Sequence, residues 1–418
     1  MLMKTLIAIA LILVSARITH GQDVLSLTEC YRLAESNYPR ITQRHLIDLA
    51  REYSLENAGK GALPRISFGG QATYQSDVTQ IPVEMPGVEP LSKDQYRVFA
   101  EVSQPLYQGG TVGALKEQER NSSEVEHLQL DVELYSIRAR VNELYFGVLL
   151  MEEQHRITAL RKKDLSSALA KINAMVLNGT AIRSSAASLE AELLKVDQRL
   201  VEIESGADAY RTMLGRFINE QIGPDTRLER AVFEPAPDVI ERQELRVFDA
   251  QRRLIEANKS MLAARRKPRL ELFIQGGYGR PGLNMLKNEF DLYYLGGLRF
   301  TWLLSAYYTA KKEEQLLSLR QQSIDVQRET FLFNTAIQLS EYESEINKLL
   351  KLTEVDHRII RLRTEVRETA RAQLDEGVIT SSDFIREVNA EDQAKQDLAL
   401  HQTQLLLAQA RYHFASGH

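Results

Sequence analysis

The sequence has one cysteine and no excess of basic residues, and both features narrow the class of protein. Cys30 cannot form an intrachain disulfide, and its setting in a helix-like segment predicts a buried, unreactive thiol. Lysine and arginine number 52 against 57 acidic residues, a net charge of −5, which argues against a nucleic-acid-binding protein. The eight histidines are scattered without metal-ligand spacing, so we expect no metal and no cofactor.

The chain also lacks the side-chain patterns of an enzyme. Residues 277–282, Gly-Tyr-Gly-Arg-Pro-Gly, fit a dinucleotide-binding glycine motif in letters only. That motif needs a helix directly after it, whereas here Pro281 lies within the motif and a strand-like segment follows, so a hairpin loop is expected. We find no nucleophile with a matching base, and we predict that the chain is not an enzyme.

Long apolar runs are missing after the first residues. Lys4 and the apolar run from Leu6 to Val14 predict a secretory signal peptide over residues 1–21, with cleavage near Gly21. Loss of Lys4 and Arg17 would bring the net charge to about −7. No later run approaches the roughly 20 residues of a membrane-spanning helix.

Proline is absent from two very long stretches, which predicts two very long helices. They run from Thr111 to Leu177 and from Tyr307 to Leu374, and at 1.5 Å per residue each would reach about 100 Å. Apolar residues recur at threes and fours, so these helices are expected to pair laterally, as coiled coils do. Gly179 and Gly377 would end them, and return helices would follow over residues 183–215 and 381–415.

Four shorter segments alternate between apolar and polar residues, which predicts half-buried strands. They are residues 65–74, 96–103, 269–278 and 294–302, and only Phe99, Phe273 and Leu295 break the alternation. Each is near the 9–11 residues that a tilted strand needs to cross a bilayer. Aromatic residues at their ends suit the two membrane interfaces. A soluble antiparallel sheet with one wet face is the alternative.

The two halves of the chain echo each other. Leu-Pro-Arg-Ile-Ser-Phe-Gly-Gly-Gln-Ala-Thr-Tyr at 63–74 aligns without a gap with Lys-Pro-Arg-Leu-Glu-Leu-Phe-Ile-Gln-Gly-Gly-Tyr at 267–278. We therefore predict two structural repeats, 22–218 and 241–418, joined by a connector at 219–240. In the first, a β-hairpin at 65–103 precedes a helical hairpin at 111–215. In the second, a β-hairpin at 268–302 precedes a helical hairpin at 307–415.

Four strands are too few to close alone, because single-chain membrane barrels start at eight strands and open edges are not tolerated in hydrocarbon. If these strands lie in a membrane, copies of the chain must therefore share one β-barrel, and three copies would give 12 strands, with the long helices continuing below them as a tube. The polar strand faces would line its lumen with the charged residues Arg65, Arg97, Glu101, Arg269, Glu271 and Arg299.

At several places the sequence resembles the TolC family of outer-membrane efflux proteins. Cys30 stands where the family's opening segment has an alanine, and Tyr38 separates the Asn and Pro of that segment. The second-half exit at 300–308 lacks the proline and the glycine pair of the first. The matching segments are 25–41 (LSLTECYRLAESNYPRI), 63–70 (LPRISFGG), 103–110 (SQPLYQGG), 374–391 (LDEGVITSSDFIREVNAE) and 405–417 (LLLAQARYHFASG).

This resemblance implies an α+β membrane protein that forms a homotrimeric channel in the outer membrane of a Gram-negative bacterium. Its trimeric 12-stranded β-barrel would be continued by a long α-helical periplasmic barrel. The channel would be the outer-membrane component of a tripartite efflux or type I secretion system and would conduct substrates passively. The implied partners are a periplasmic adaptor, an inner-membrane pump and outer-membrane lipid. The barrel-to-helix transitions would lie at Pro64, Pro105, Gly109, Gly110 and Pro268.

The resemblance also assigns a gate to the periplasmic helix turns. Asp383 falls on a pore-narrowing acidic position of the family, whereas the next such position is Arg386. Leu374 and Ile379 replace the tyrosine and arginine that tie the family's closed state. The gate or tip candidates are Asp383, Arg386, Asp375, Glu376, Gly377, Gly179 and Arg183. The alternative for all of them is an ordinary solvated turn, because exposed charge pairs contribute little.

A second reading of the whole chain stays open. An exported periplasmic adaptor or scaffold made of helical hairpins, without a pore, would explain the long helices and their turns. It would not require four strands of bilayer length with aromatic ends.

Overall fold

The computed structural model describes residues 24–79, 90–234 and 239–418. The predicted signal peptide at 1–21 lies outside the described residues, as do Pro235 and Pro237 of the predicted connector. In the described part, no helix is both long enough and apolar enough to cross a membrane.

Helices dominate the described chain. The two proline-free stretches each form one continuous helix, as predicted, and the return helices run slightly past their predicted ends. The helices are α1 (Leu27–Asn37), α2 (Gln43–Lys60), α3 (Thr111–Leu177), α4 (Arg183–Ile218), α5 (Gln243–Arg265), α6 (Ala306–Asp375) and α7 (Ser381–Ser416), with a 3₁₀ turn at Pro39–Thr42.

The strands form two sheets. They are β1 (Val24–Leu25), β2 (Arg65–Tyr74), β3 (Asp94–Tyr107), β4 (Arg227–Leu228), β5 (Arg269–Arg280) and β6 (Asp291–Thr301). The main sheet is antiparallel with the order β2-β3-β5-β6, so β3 and β5 join the two predicted hairpins. Among the described residues, β2 and β6 are its edges.

The third strand is longer than predicted. The sequence analysis ends it at Ser103, but β3 continues to Tyr107, and its register with β5 shifts between Pro105 and Tyr107. Proline lacks the N–H that a regular ladder needs and is tolerated at such irregularities. Pro105 therefore lies inside the strand at a bulge, and it does not end the strand.

The structure divides into two compact units. Among the described residues, one unit comprises those up to Ile41, those from Asp131 to Arg242 and those from Phe331 to His418, and the other comprises those from Thr42 to Leu130 and from Gln243 to Thr330. The second unit contains the main sheet. In the first unit, β1 and β4 pair in parallel, and the hydroxyl of Tyr145 donates to the carbonyl of Leu25 at 2.9 Å. Because β4 lies within the predicted connector at 219–240, this pairing holds part of the connector against β1.

In the first unit, the ends of four helices share one core. It contains Leu165, Ala168 and Ile172 of α3, Leu189 and Val196 of α4, Ala370 and Leu374 of α6, and Phe384 and Val388 of α7. Both helical hairpins contribute, and burial of these side chains away from water is what holds them together.

The first helix begins two residues earlier than the sequence suggests. Thr28 looks like an N-cap in the sequence, but Ser26 is the N-cap, and its side chain accepts from the backbone N–H of Glu29 at 3.2 Å. Cys30 is fully buried in this helix, as predicted, and burial raises the pKa of its thiol to about 12.

Candidate functional site: the sheet faces and the helical turns

Strand pairing places the six predicted lumen charges on one face of the main sheet. Arg299 of β6 donates to the carboxylate of Glu101 on β3 at 2.9 and 3.1 Å and to Glu271 on β5 at 2.9 Å. Arg65, Arg97 and Arg269 form no ion pair with the residues that the structure describes. This face thus carries a three-strand ion cluster and three further guanidinium groups.

Aromatic residues that break the polar alternation cover glycines on neighbouring strands. A Cβ atom built on Gly69 would lie 2.5 Å from the ring of Phe99, and one built on Gly277 would lie 2.3 Å from the ring of Tyr293. The ring of Phe273 lies 3.5 Å from the corresponding point on Gly297. These rings fill the space that glycine leaves on the polar face. This role depends on which residues pair across strands, and the alternation within one strand gives no signal for it.

The opposite face of the sheet is apolar and open. Phe68 is 84% exposed and Tyr294 is 83% exposed. Every second residue from Ile66 to Tyr74 lies on this face, and at about 3.3 Å per residue that stretch covers roughly 26 Å. An exposed apolar band of about 25 Å between aromatic residues is what a membrane-spanning strand presents to lipid.

Backbone geometry explains the glycine pair at the exit of β3. Gly109 has a φ of 67°, and a Cβ atom there would lie 2.7 Å from both the carbonyl oxygen of Ala264 and the Cβ of Lys267. Gly110 has a φ of 85°. Positive φ and a close backbone approach both require glycine. Pro64 and Pro268 directly precede β2 and β5, where proline ends a preceding helix.

Both predicted turn glycines adopt the left-handed conformation that ends a helix. Gly179 has a φ of 73° and Gly377 a φ of 71°, and no atom lies within 4 Å of a Cβ built on either. Leu374 is buried in the shared core, and Ile379 packs against that core. These positions therefore serve packing at the turn.

Asp383 has a clear local role. It forms a capping box with Thr380: the Asp383 N–H donates to the Thr380 hydroxyl oxygen, and the Thr380 N–H donates to the Asp383 carboxylate, both at 3.2 Å. The hydrogen bonds from Thr380 hold the pKa of Asp383 below its usual value. Arg386 lies 3.5 Å from the same carboxylate, so the two charges form an ion pair.

The other charged candidates lie around the same turns. Asp375 pairs with Lys171 at 2.9 Å, which joins the end of α6 to α3. Glu376 follows Asp375 at the end of α6, and Arg183 is the first residue of α4. Neither has an ion partner among the described residues. A pore-lining role for any of them stays a prediction.

A buried polar layer behind the turns escaped the sequence analysis. The guanidinium of Arg161 on α3 donates to Glu192 of α4 at 2.5 Å and to Asn389 and Asp392 of α7 at 2.6 and 3.2 Å. Burial raises the pKa of Asp392, although Arg161 opposes this. This layer ties the first helical hairpin to the second.

The same layer continues on the other side of α7. Glu391 is buried there, accepting from Thr364 at 2.6 Å and from Arg367 at 3.0 Å, both on α6. Burial alone would raise the pKa of Glu391, but the hydrogen bonds from Thr364 and Lys395 lower it below its ordinary value. Individual helical positions carry no sequence signal for such a network, because each charge looks like a solvated surface residue.

Comparison with known proteins finds a family model that matches the first half of the chain. Residues 30–215 match the family described as "outer membrane efflux protein". The matched residues make up less than half of the chain. No curated protein matches the sequence.

Several solved structures of outer-membrane proteins share the fold of this chain. The outer-membrane channel OprN matches with a TM-score of 0.68 at 11% identity, covering 94% of this chain and 89% of OprN. VceC from Vibrio cholerae matches at 0.66 and 12% identity, covering 94% and 96%. The open state of MtrE from Neisseria gonorrhoeae matches at 0.66 and 17% identity, covering 94% and 88%. The TolC-like fold predicted from the sequence is therefore confirmed.

Proposed function

We propose that this protein is an outer-membrane efflux channel, a passive conduit in which three copies share one 12-stranded barrel. The observation that carries the proposal is the main sheet, whose apolar face is open and whose edge strands β2 and β6 are unpaired among the described residues. Unpaired strand edges are not tolerated in hydrocarbon. Further copies of the chain are the simplest way to satisfy them.

The strand directions allow this closure. Successive strands of the sheet are antiparallel, so β2 and β6 run in opposite directions. The β6 edge of one copy could therefore pair with the β2 edge of the next in the same antiparallel pattern. The charged face would then line the lumen, with the Arg299 cluster and Arg65, Arg97 and Arg269 facing the substrate path.

Mass measurement and conductance test the shared barrel. Light scattering of the mature chain in detergent should give a trimer, and the trimer should conduct in planar bilayers. Phe68→Lys places a charge on the apolar face, where it costs roughly 2–4 kcal/mol at mid-membrane, and should abolish insertion. Ser67→Lys, one residue away on the polar face, is the control and should insert but change conductance. Equal insertion of the two variants would contradict the assignment of faces.

The turns would form the periplasmic end of the conduit, with Asp383 narrowing it. Asp383→Asn removes the charge while the amide oxygen can still accept the Thr380 N–H that caps α7. Single-channel recordings should then show altered conductance or weaker block by cations. Glu202 is exposed on α4, away from the turns, so Glu202→Gln is the control that removes the same charge elsewhere. Unchanged recordings for Asp383→Asn would leave the residue with a capping role alone.

The same turns would dock a periplasmic adaptor that links the conduit to an inner-membrane pump, in a tripartite efflux or type I secretion system. Leu177 and Ile182 beside the first turn and Val378 in the second are exposed, which suits contact with a partner. Cysteines placed over residues 178–184 and 376–382 should crosslink to an adaptor. Crosslinks confined to the main sheet would contradict this. A soluble monomer would instead favour the scaffold without a pore.

A further inference from the structure

A strongly basic turn joins α5 to β5. Residues 265–269 are Arg-Arg-Lys-Pro-Arg, and the sequence has no acidic residue between Glu256 and Glu271. Arg265 and Lys267 are exposed and have no ion partner in the part of the chain that the structure describes. Arg266 is different, because its guanidinium pairs with Glu314 of α6 at 2.6 Å.

Aromatic side chains lie directly against this turn. The indole N–H of Trp302 donates to the carbonyl oxygen of Arg266 at 3.1 Å, and the hydroxyl of Tyr307 donates to the same oxygen at 3.5 Å. Tyr308 is 85% exposed. Trp302 directly follows β6 and continues the residue alternation of its apolar face. The basic turn therefore lies at the helix-proximal end of that face.

The first turns of α6 add charge of the same sign. Lys311 and Lys312 are exposed and form no ion pair with described residues. Glu314 is occupied by Arg266, which leaves Glu313 as the remaining carboxylate on this stretch. This region therefore has four cationic groups and one unpaired carboxylate, together with exposed tryptophan and tyrosine rings.

We propose that Arg265, Lys267, Lys311 and Lys312, with Trp302 and Tyr308, form a collar that binds the headgroups of anionic phospholipids. The inference rests on the proposed function, in that the apolar sheet face must lie in lipid. Tryptophan and tyrosine concentrate where apolar core meets headgroups, and basic residues at that depth attract anionic lipids. Since the collar lies at the helical end of the strands, it would contact the periplasmic leaflet.

Lipid retention by the purified assembly tests the collar. The detergent-extracted protein is mixed with equal amounts of phosphatidylglycerol and phosphatidylcholine, and native mass spectrometry counts each lipid retained. A basic side chain near an anionic surface strengthens binding roughly fivefold. Wild type should therefore retain several-fold more phosphatidylglycerol. Arg265→Gln/Lys267→Gln should lower that ratio, while Lys163→Gln/Arg358→Gln, which removes two exposed charges from α3 and α6 elsewhere, should not.

Other outcomes would overturn the proposal. Equal retention of both lipids by wild type, or an equal loss in the control, would show that these charges do not select headgroups. Preferential retention of lipopolysaccharide would assign the collar to the outer leaflet instead. If the double variant does not assemble, raising the salt to about 0.5 M on wild type replaces it, because screening must weaken a charge-based preference. Failure of the proposed function is separate: it appears as a preparation without trimers or conductance.

Discussion

The two helical turns of this chain have similar backbone conformations at their glycines, but they differ in the side-chain interactions that stabilise them. Both end a long helix with a glycine in the left-handed conformation, Gly179 in one and Gly377 in the other. At the second turn, Thr380 and Asp383 cap the following helix, whereas at the first the N-cap is Ile182, which makes no side-chain cap and is 70% exposed. The turn geometry therefore depends on glycine, and capping is an addition that one turn has and the other lacks.

The largest expected effect lies beneath the second turn. Phe384 is fully buried in the core that both helical hairpins share, so Phe384→Ala should destabilise this region by about 3–5 kcal/mol. Ile182→Ala, at the exposed first turn, should change stability by less than about 0.5 kcal/mol. Thermal loss of helical circular dichroism measures both. Similar midpoint shifts for the two variants would show that the second turn is no better anchored than the first.

Loss of the capping box should have a smaller effect. Thr380→Ala removes the hydroxyl that accepts from Asp383 and should cost about 1 kcal/mol. Faster hydrogen exchange over residues 381–384 should accompany it, since the first N–H groups of α7 lose their acceptor. Thr380→Ser, which keeps a hydroxyl, is the matched control. Unchanged exchange in Thr380→Ala would mean that the cap does not order this turn.

A cap should also be transferable to the first turn. Ile182 has φ of −88° and ψ of 148°, the extended conformation that N-cap residues adopt. Ile182→Ser supplies a hydroxyl for the N–H groups of α4 and should stabilise that helix start by about 0.5–1 kcal/mol. Ile182→Val, similar in character but unable to cap, should not. The prediction is wrong if both variants slow hydrogen exchange over residues 183–186 equally.

The smallest expected effect is on the stability of the second turn at acidic pH. Because Thr380 holds the pKa of Asp383 below its usual value, the contribution of this carboxylate is present above the pKa of the unfolded chain. It is lost as the pH falls through the lower folded value. The midpoint difference between wild type and Asp383→Asn should therefore shrink toward pH 3. The first turn has no matching carboxylate, so Ser185→Asn should show no such trend.

Long-range uniform patterns made the helices predictable. The absence of proline and the two turn glycines fixed the bounds of α3 and α6 almost to the residue. The faces of the main sheet followed from alternation for the same reason. The β1–β4 pair could not be found, because two residues per strand carry no periodicity. The buried contacts of Arg161 and Glu391 depend on helix packing, which charge patterning does not encode.

The rings that cover glycines on the polar sheet face have a consequence for how this protein can evolve. A methyl group at Gly69 would meet Phe99, and one at Gly277 would meet Tyr293, so neither glycine can change while its ring stays in place. Conversely, replacing the ring alone with a small side chain would leave a gap on this face, because the glycine opposite has no side chain to fill it. Substitutions in direct contact are not additive. Related sequences should thus show these positions altered as pairs, with a small residue always opposite a large one.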